Sequence, residues 1–254
     1  MKVLIVGAGV AGLGIGWRLA QAGVEVTILE RGEAASGATF AAAGMIAATA
    51  ELPDAPEPEI ALASRAGRLW PGFAAELEQV SAIPVGYRRN GALLVEPARP
   101  ADLPPGTIWL DGAAACARAP MLGPVAGAIW APDEALADNR ALGRALTVAF
   151  AHAGGELRTQ CEVTAVAPGE AVTRDGRHKA DLVILAAGAW SGLLVERVPM
   201  TPVKGEMLML AAPSGAAVPE PVVWGHGVYL VPRGAHLLVG ATMEEAGFAS
   251  PTVI

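Results

Sequence analysis

Near its start the chain carries Gly7-Ala8-Gly9-Val10-Ala11-Gly12, a G-x-G-x-x-G spacing, and an acid, Glu30, stands 18 positions after Gly12. That combination can hold the pyrophosphate and a ribose of a dinucleotide. Gly7 allows a sharp turn. Gly9 lacks the Cβ that would keep the backbone away from a phosphate. Gly12, with Gly16, lets a helix lie close to a sheet. The amides of Val10 and Ala11 open that helix unpaired, and the helix dipole adds to their attraction for an anion. The Glu30 carboxylate can accept hydrogen bonds from both ribose hydroxyls; it would repel a 2′-phosphate, which disfavours NADP.

The surrounding elements are those the motif needs. Val3-Leu4-Ile5-Val6 is an apolar run of the kind found in buried parallel strands. The pattern predicts a helix over 10–22, closed by Gly23, and a β-branched second strand over 24–29. After Glu30 come two further stretches. The small polar run Ser36-Gly37-Ala38-Thr39 can wrap a pyrophosphate with backbone amides and a hydroxyl. Ala41-Ala42-Ala43-Gly44-Met45-Ile46 is small and apolar, fit to lie flat against a ring system.

From Val3 to Ile46 this arrangement resembles the amino-acid oxidase family of flavoproteins, which includes D-amino-acid oxidase, sarcosine oxidase and glycine oxidase. The A-A-A-G-M run most resembles the glycine oxidase branch associated with thiamine biosynthesis. The resemblance implies FAD as cofactor, held at Gly7, Gly9, Val10, Ala11, Gly12, Glu30, Arg31, Ala38, Thr39, Ala43, Gly44, Met45, Val163 and Gly188. An NAD-dependent dehydrogenase is disfavoured by the A-A-A-G-M run.

Bulk properties set limits. The 254 residues are 53% hydrophobic, with a formal net charge of −7, fifteen scattered Arg and only three Lys. Mean hydropathy is +0.42 and the pI about 5.2. Nothing in this balance points to nucleic acid. Cys116 and Cys161 lack metal-ligand spacing and read as reduced thiols of a cytoplasmic protein. The apolar start, 3–17, is too short to span a bilayer, and no later stretch reaches the roughly 18 apolar residues a span requires. A soluble protein with no membrane partner is expected.

The expected fold class is α/β: a Rossmann-like FAD-binding domain, discontinuous over 1–50 and 136–198, interleaved with a mainly β substrate domain over 51–135 and 199–254. Residues 51–59 read as a Pro-rich, acidic crossover. A helix is predicted over 60–80, broken or restarted at Pro71. Residues 85–95 read as a hairpin turning at Asn90-Gly91, 111–117 as a short helix, and 127–130 as a strand. Asp138 caps a predicted helix that runs to 153, stopped by Gly154-Gly155. Strands follow at 156–158 and 161–166, then a turn at Asp175-Gly176. A buried strand over 180–187 ends at Gly188, the glycine of close approach. By resemblance, Val163 passes its backbone near the adenine. Segments 202–210, 222–231 and 236–241 read as strands, and V-K-G-E, Y-L-V-P-R and V-G-A-T-M match the substrate sheet of the glycine oxidase branch.

The chemistry implied is removal of a hydride equivalent from the carbon beside an amine. The imine then hydrolyses to an oxoacid and ammonia, and oxygen reoxidises the flavin with release of hydrogen peroxide. The family has no obligatory general base, so the lack of a Ser-His-Asp or metal cluster is no objection. Tyr229 aligns with the tyrosine that contacts the substrate carboxylate; His226 falls one residue out of register, on the other face of a strand. Arg233 reads as a turn residue. The resemblance implies a small amino acid and oxygen as partners, and a homo-oligomer. It also implies about a hundred further residues, including the arginine that pairs the substrate carboxylate. Pro251 and Thr252 look like the start of a helix that does not come. The sequence therefore reads as the first two-thirds of an FAD amine oxidase. The alternatives are a dehydrogenase of the same fold with an acceptor other than oxygen, or a catalytically incomplete FAD-binding fragment.

Overall fold

The computed structural model describes residues 1–51, 55–212 and 218–249. The chain begins with β1 (Lys2–Val6), α1 (Val10–Gln21) and β2 (Glu25–Leu29), then α2 (Ala38–Ala41), β3 (Met45–Ile46) and α3 (Ala48–Glu51). All of Val3, Leu4, Ile5 and Val6 are buried, because both faces of β1 are covered; this is why its sequence is a continuous apolar run. Parts of the acidic crossover (52–54), and Pro251 and Thr252, lie outside the described residues.

The helix α4 (Glu57–Ser81) runs through Pro71 without a break, contrary to the expectation from sequence. Its side chains around the proline explain this. Trp70, Phe73, Ala74 and Leu77 pack into one core with Trp17 of α1, and that burial outweighs the single hydrogen bond a proline removes. Pro58 lies in the first turn, where no donor is needed.

Then follow β4 (Ala92–Glu96), β5 (Ile108–Asp111), α5 (Gly112–Arg118), β6 (Gly127–Ala131), β7 (Ala135–Leu136) and α6 (Asn139–His152). Asp111 caps α5 through the Ala114 amide, and Asp138 caps α6 through the amides of Arg140 and Ala141, as their residue types predict. No hairpin forms over 85–95. Arg88 instead bridges Leu136, and Gly91 accepts from Val222 and donates to Glu134 through its backbone. The β4 strand pairs in parallel with a strand far along the chain.

The rest is β8 (Glu156–Arg158), β9 (Val163–Ala167), β10 (Glu170–Thr173), β11 (Gly176–Lys179), β12 (Leu182–Leu185), a 3-10 turn (Gly188–Trp190), α7 (Ser191–Leu194), β13 (Met207–Ala211), β14 (Val222–Gly225), β15 (Val228–Arg233) and β16 (His236–Gly240). The expected single strand over 222–231 is two strands. His226 and Gly227, both at positive φ (53° and 78°), form the two-residue turn between β14 and β15, a type I′ geometry that suits the twist of a hairpin. His226 is thus a turn residue, not one on a strand face.

Two sheets organise the molecule. The first is parallel, in the order β12-β1-β2-β8. Helices α1, α4 and α6 cover one face around Trp17, Leu146 and Phe150, and the antiparallel β9-β10-β11 layer covers the other with Val163 and Ala171. A fully buried Phe such as Phe150 contributes about 1.5–3 kcal/mol. The second sheet has seven strands, β13-β16-β15-β14-β4-β6-β5. The short β3-β7 pair joins the two, and its Met45 and Leu136 belong to the apolar cluster on the second sheet.

Candidate functional site

The glycine turn has the predicted construction. Gly7, at φ +104°, lies so near β12 that a Cβ there would meet the Ala186 carbonyl oxygen at 2.4 Å; a Cβ on Gly12 would meet the Gly7 oxygen at 1.9 Å. These two contacts bring the start of α1 down onto the carboxyl ends of β1 and β12. Gly9 differs, because a Cβ there would meet only Thr39 Oγ1, at 3.5 Å. The helix start is therefore an open cradle, walled by Gly9, Val10, Ala11 and Thr39. The Val10 amide, expected to be unpaired, instead donates to Thr39 Oγ1 at 2.9 Å, which fixes the hydroxyl at the rim. Ala38 is exposed in the short helix beside it.

Glu30 follows β2 as predicted. Its carboxylate accepts from the amides of Ala8 (2.8 Å) and Gly32 (2.9 Å), which places the acid against the glycine turn. Arg31 lies over the Trp190 ring at 3.8 Å. Gly188, at φ +54°, is exposed just past β12, and β12 is bonded to β1 through Ala186 and Val6. Gly188 thus shares the edge where Gly7 turns. The Val163 side chain is buried against Leu4, Val6 and Leu29.

The segment 38–46 forms the second wall. A Cβ on Gly44, at φ +83°, would meet the Ala137 oxygen at 2.0 Å, and Ala137 donates to Gly44 O at 2.9 Å. That makes Met45 and Leu136 a non-hydrogen-bonded pair of the antiparallel ladder, so the Met45 N–H and C=O point away from β7. Leu136 exchanges both of its backbone bonds with Arg88 instead. Ala43 is buried and Met45 half-buried in one apolar cluster with Tyr229, Val231 and Leu238. The structure therefore brings Tyr229 to the segment expected to lie along a ring system. Tyr229 donates to Met207 Sδ at 3.0 Å and packs beside Trp224, with centroids 5.0 Å apart.

The sequence reading missed the role of Arg233. It is not only a turn residue: its guanidinium is half-buried and donates to Ala43 O at 2.9 Å and to Asn139 Oδ1. Burial pulls its pKa below the usual value, with Asp138 opposing. With Arg88, Asp138 and Ala43 it lines a cavity of about 310 Å³. Asn139 was likewise overlooked, although an amide side chain at the first position of a capped helix, beside a carbonyl-rich loop, is a usable signal. Arg89, by contrast, pairs with Asp133 at the surface.

A flavin dinucleotide fits these residues: an open glycine cradle at a helix start, an acid at the end of the second strand, and a small apolar segment facing a strand that carries a tyrosine. The architecture is that of a dinucleotide-binding α/β fold with a mixed β sheet facing it. The chain belongs to the FAD dependent oxidoreductase family DAO, whose profile matches residues 2–254, and the cofactor of that family is FAD. A relative, the bifunctional protein ThiO/ThiG of Synechocystis sp., is 36% identical over 257 residues, covering 96% of this chain and 39% of the relative. The glycine oxidase of Geobacillus kaustophilus is 34% identical over 269 residues, covering 97% of this chain and 71% of its own. The crystal structure of glycine oxidase from Geobacillus kaustophilus superposes with a TM-score of 0.87 at 31% identity, over 98% of this chain and 73% of that one. The chain thus spans about two-fifths of the ThiO/ThiG relative and about seven-tenths of the glycine oxidases. Among the described residues no helix is long and apolar enough to cross a membrane, and Cys116 and Cys161 are free.

Proposed function

We propose that this chain is the flavin-binding and substrate-sheet part of an FAD-dependent amino-acid oxidase that deaminates glycine or a small amino acid, feeding thiazole and thiamine biosynthesis. The observation that carries the proposal is the meeting of Ala43 and Met45 with Tyr229 in one apolar cluster, beside the open Gly9–Thr39 cradle. Bound FAD would supply the redox chemistry, the acceptance of a hydride equivalent from the carbon beside the amine, with oxygen as the final acceptor and hydrogen peroxide as its product. The chain's own residues have other tasks. Gly9, Val10, Ala11 and Thr39 hold the pyrophosphate, and Glu30 with Arg31 holds the ribose side. Val163 lies by the adenine, while Gly188, Ala43, Gly44 and Met45 lie along the flavin. Tyr229 orients the substrate carboxylate by its hydroxyl, and the apolar cluster around it keeps water from the reacting carbon. The imine released hydrolyses to an oxoacid and ammonia.

The reading divides the chain into a flavin domain of residues 1–50 and 136–198 and a substrate domain of 51–135 and 199–254, with α4 docked on the first. It places the protein in the cytoplasm as a homo-oligomer. One observation favours a second reading, an FAD-binding unit without its own carboxylate clamp. Arg233, on the same face of β15 as Tyr229, is already engaged by Ala43 and Asn139.

The test is the visible spectrum of the purified chain before and after anaerobic addition of glycine. Flavin bands that bleach are expected of the oxidase. Bands that stay establish the binding-only reading, and a protein without flavin bands overturns both. Fast bleaching with slow recovery in air points to a dehydrogenase that uses another acceptor.

A further inference from the structure

The carbonyl edge of segment 39–44 is held from behind by a set of side chains that the proposed function does not use. Asn139, only 4% exposed, donates through Nδ2 to Thr39 O at 2.6 Å and to Phe40 O at 3.0 Å. Arg140 donates to Phe40 O at 3.3 Å and lies over the Phe40 ring at 3.8 Å. Arg233 reaches across from β15, donating to Ala43 O and, through the same nitrogen, to Asn139 Oδ1. The Asn139 amide is thus used at both ends, with its oxygen on the guanidinium and its nitrogen on two carbonyls. At the far end of the segment Thr39 Oγ1 holds the first amide of α1. A continuous line of hydrogen bonds therefore runs from β15 through α6 and segment 39–44 to the glycine cradle.

We infer that Arg233 and Asn139 are positioning residues that set the shape of segment 39–46: by holding its carbonyls toward α6, they turn its other edge, including the outward Met45 amide, toward the flavin. That this edge faces the flavin rests on the proposed function; that Arg233 and Asn139 shape the segment does not. The arrangement has a consequence for the substrate side. Tyr229, Val231 and Arg233 alternate along one face of β15, so the strand that presents Tyr229 is fastened by Arg233 to the segment that lies along the ring. The tyrosine and the ring-facing segment then share one fixed frame, which suits a reaction governed by the distance between substrate carbon and flavin.

The test uses amide hydrogen exchange and FAD titration on the same purified variants. Loss of a charged donor from partly buried carbonyls is expected to weaken FAD binding about ten- to hundredfold in Arg233→Ala. In the flavin-free protein the same variant should exchange faster at Val10, Phe40, Ala41 and Ala42, whose amides are bonded within this frame, and stay unchanged in β9–β11. Millimolar methylguanidinium should restore part of both signals, which a purely structural loss would not allow. Arg233→Lys should fall between. Asn139→Asp keeps the acceptor for Arg233 but loses both donors to Thr39 and Phe40, so its exchange should rise at Phe40 while the Ala43 end holds. Arg89→Ala, at the surface, is the control. If Arg233→Ala does not fold, Arg233→Lys and Asn139→Asp carry the measurement. Wild-type exchange in segment 39–46 in the folded variants overturns the inference. Failure of the wild-type chain to bind FAD counts against the proposed function alone, because the exchange readings still decide the role of Arg233.

Discussion

Glu134 is an acid that its surroundings make sensitive to pH. It is 4% exposed. One carboxylate oxygen accepts from the Thr49 amide at 2.7 Å, and the other has no partner among the described residues. Burial raises its pKa, and the Thr49 bond opposes this. An acid raised in the folded state is penalised when ionised. Glu134 therefore costs the fold nothing while both states are protonated, and its penalty grows as pH rises from the unfolded carboxylate range through the raised folded value. Glu134→Gln keeps an acceptor for Thr49 and removes the charge. It should stabilise the protein at pH 7.5 by about 1 kcal/mol, roughly 2–4 °C in melting temperature for a chain of this size, and confer no gain near pH 4. Melts at the two pH values decide it, since an equal shift at both would mean the charge is not the cause. Glu134 also shows what a sequence hides. Its P-D-E context reads as a surface turn, and only the fold of 47–51 over it reveals the burial. Glu30 was legible for the opposite reason, because local spacing alone places it at the end of β2.

At the scale of elements, agreement with the sequence follows how local the controlling forces are. The β1-α1-β2 unit, α5, α6 and the β10-β11 turn were readable because caps, glycines and apolar runs act within a few residues. Two readings failed where distant partners decide. Asn90-Gly91 has hairpin chemistry, but Gly91 itself bonds to Glu134 and Val222 and nearby Arg88 to Leu136, and the true two-residue turn is at His226-Gly227, where histidine hid the signal. Pro71 has breaker chemistry, but packing against α1 and α6 carries α4 through it without a break. That second case yields a prediction. Pro71 leaves the Gly67 carbonyl, four residues back, without its helical donor, and its ring crowds that carbonyl. Pro71 is not among the residues of the Trp17-centred core, so Pro71→Ala should restore the bond without opening a cavity. A gain of about 1–3 kcal/mol is expected from urea or thermal unfolding, with the slope of the urea transition unchanged. A loss of stability would mean that the proline shapes a bend on which α4 packing depends.

For the whole molecule, the question is whether its two sheets respond to ligand as one. They are covered by separate apolar clusters, and direct continuity between them runs through segment 38–46: its β3-β7 pairing, its bonds to Asn139, and the Arg233 contact from β15. A ligand that binds only the folded state stabilises by mass action, about 2.7 kcal/mol at a hundred times its Kd. If FAD lies along segment 38–46, that stabilisation has contacts on both sides to act through. FAD is then expected to raise the melting temperature by roughly 5–10 °C. It should also slow amide exchange in β15 and β16 as well as in β1 and β2, although the glycine cradle belongs to the first sheet alone. ADP, which fills the cradle but has no ring to place against Ala43 and Met45, should protect β1 and β2 while leaving β15 and β16 nearly as they were. Protection of β15 by ADP equal to that by FAD would show that the sheets are coupled through the core in general and not through the segment. Protection confined to β1 and β2 with FAD would show that the flavin ring does not reach the second sheet, and Tyr229 would then have no part in the site.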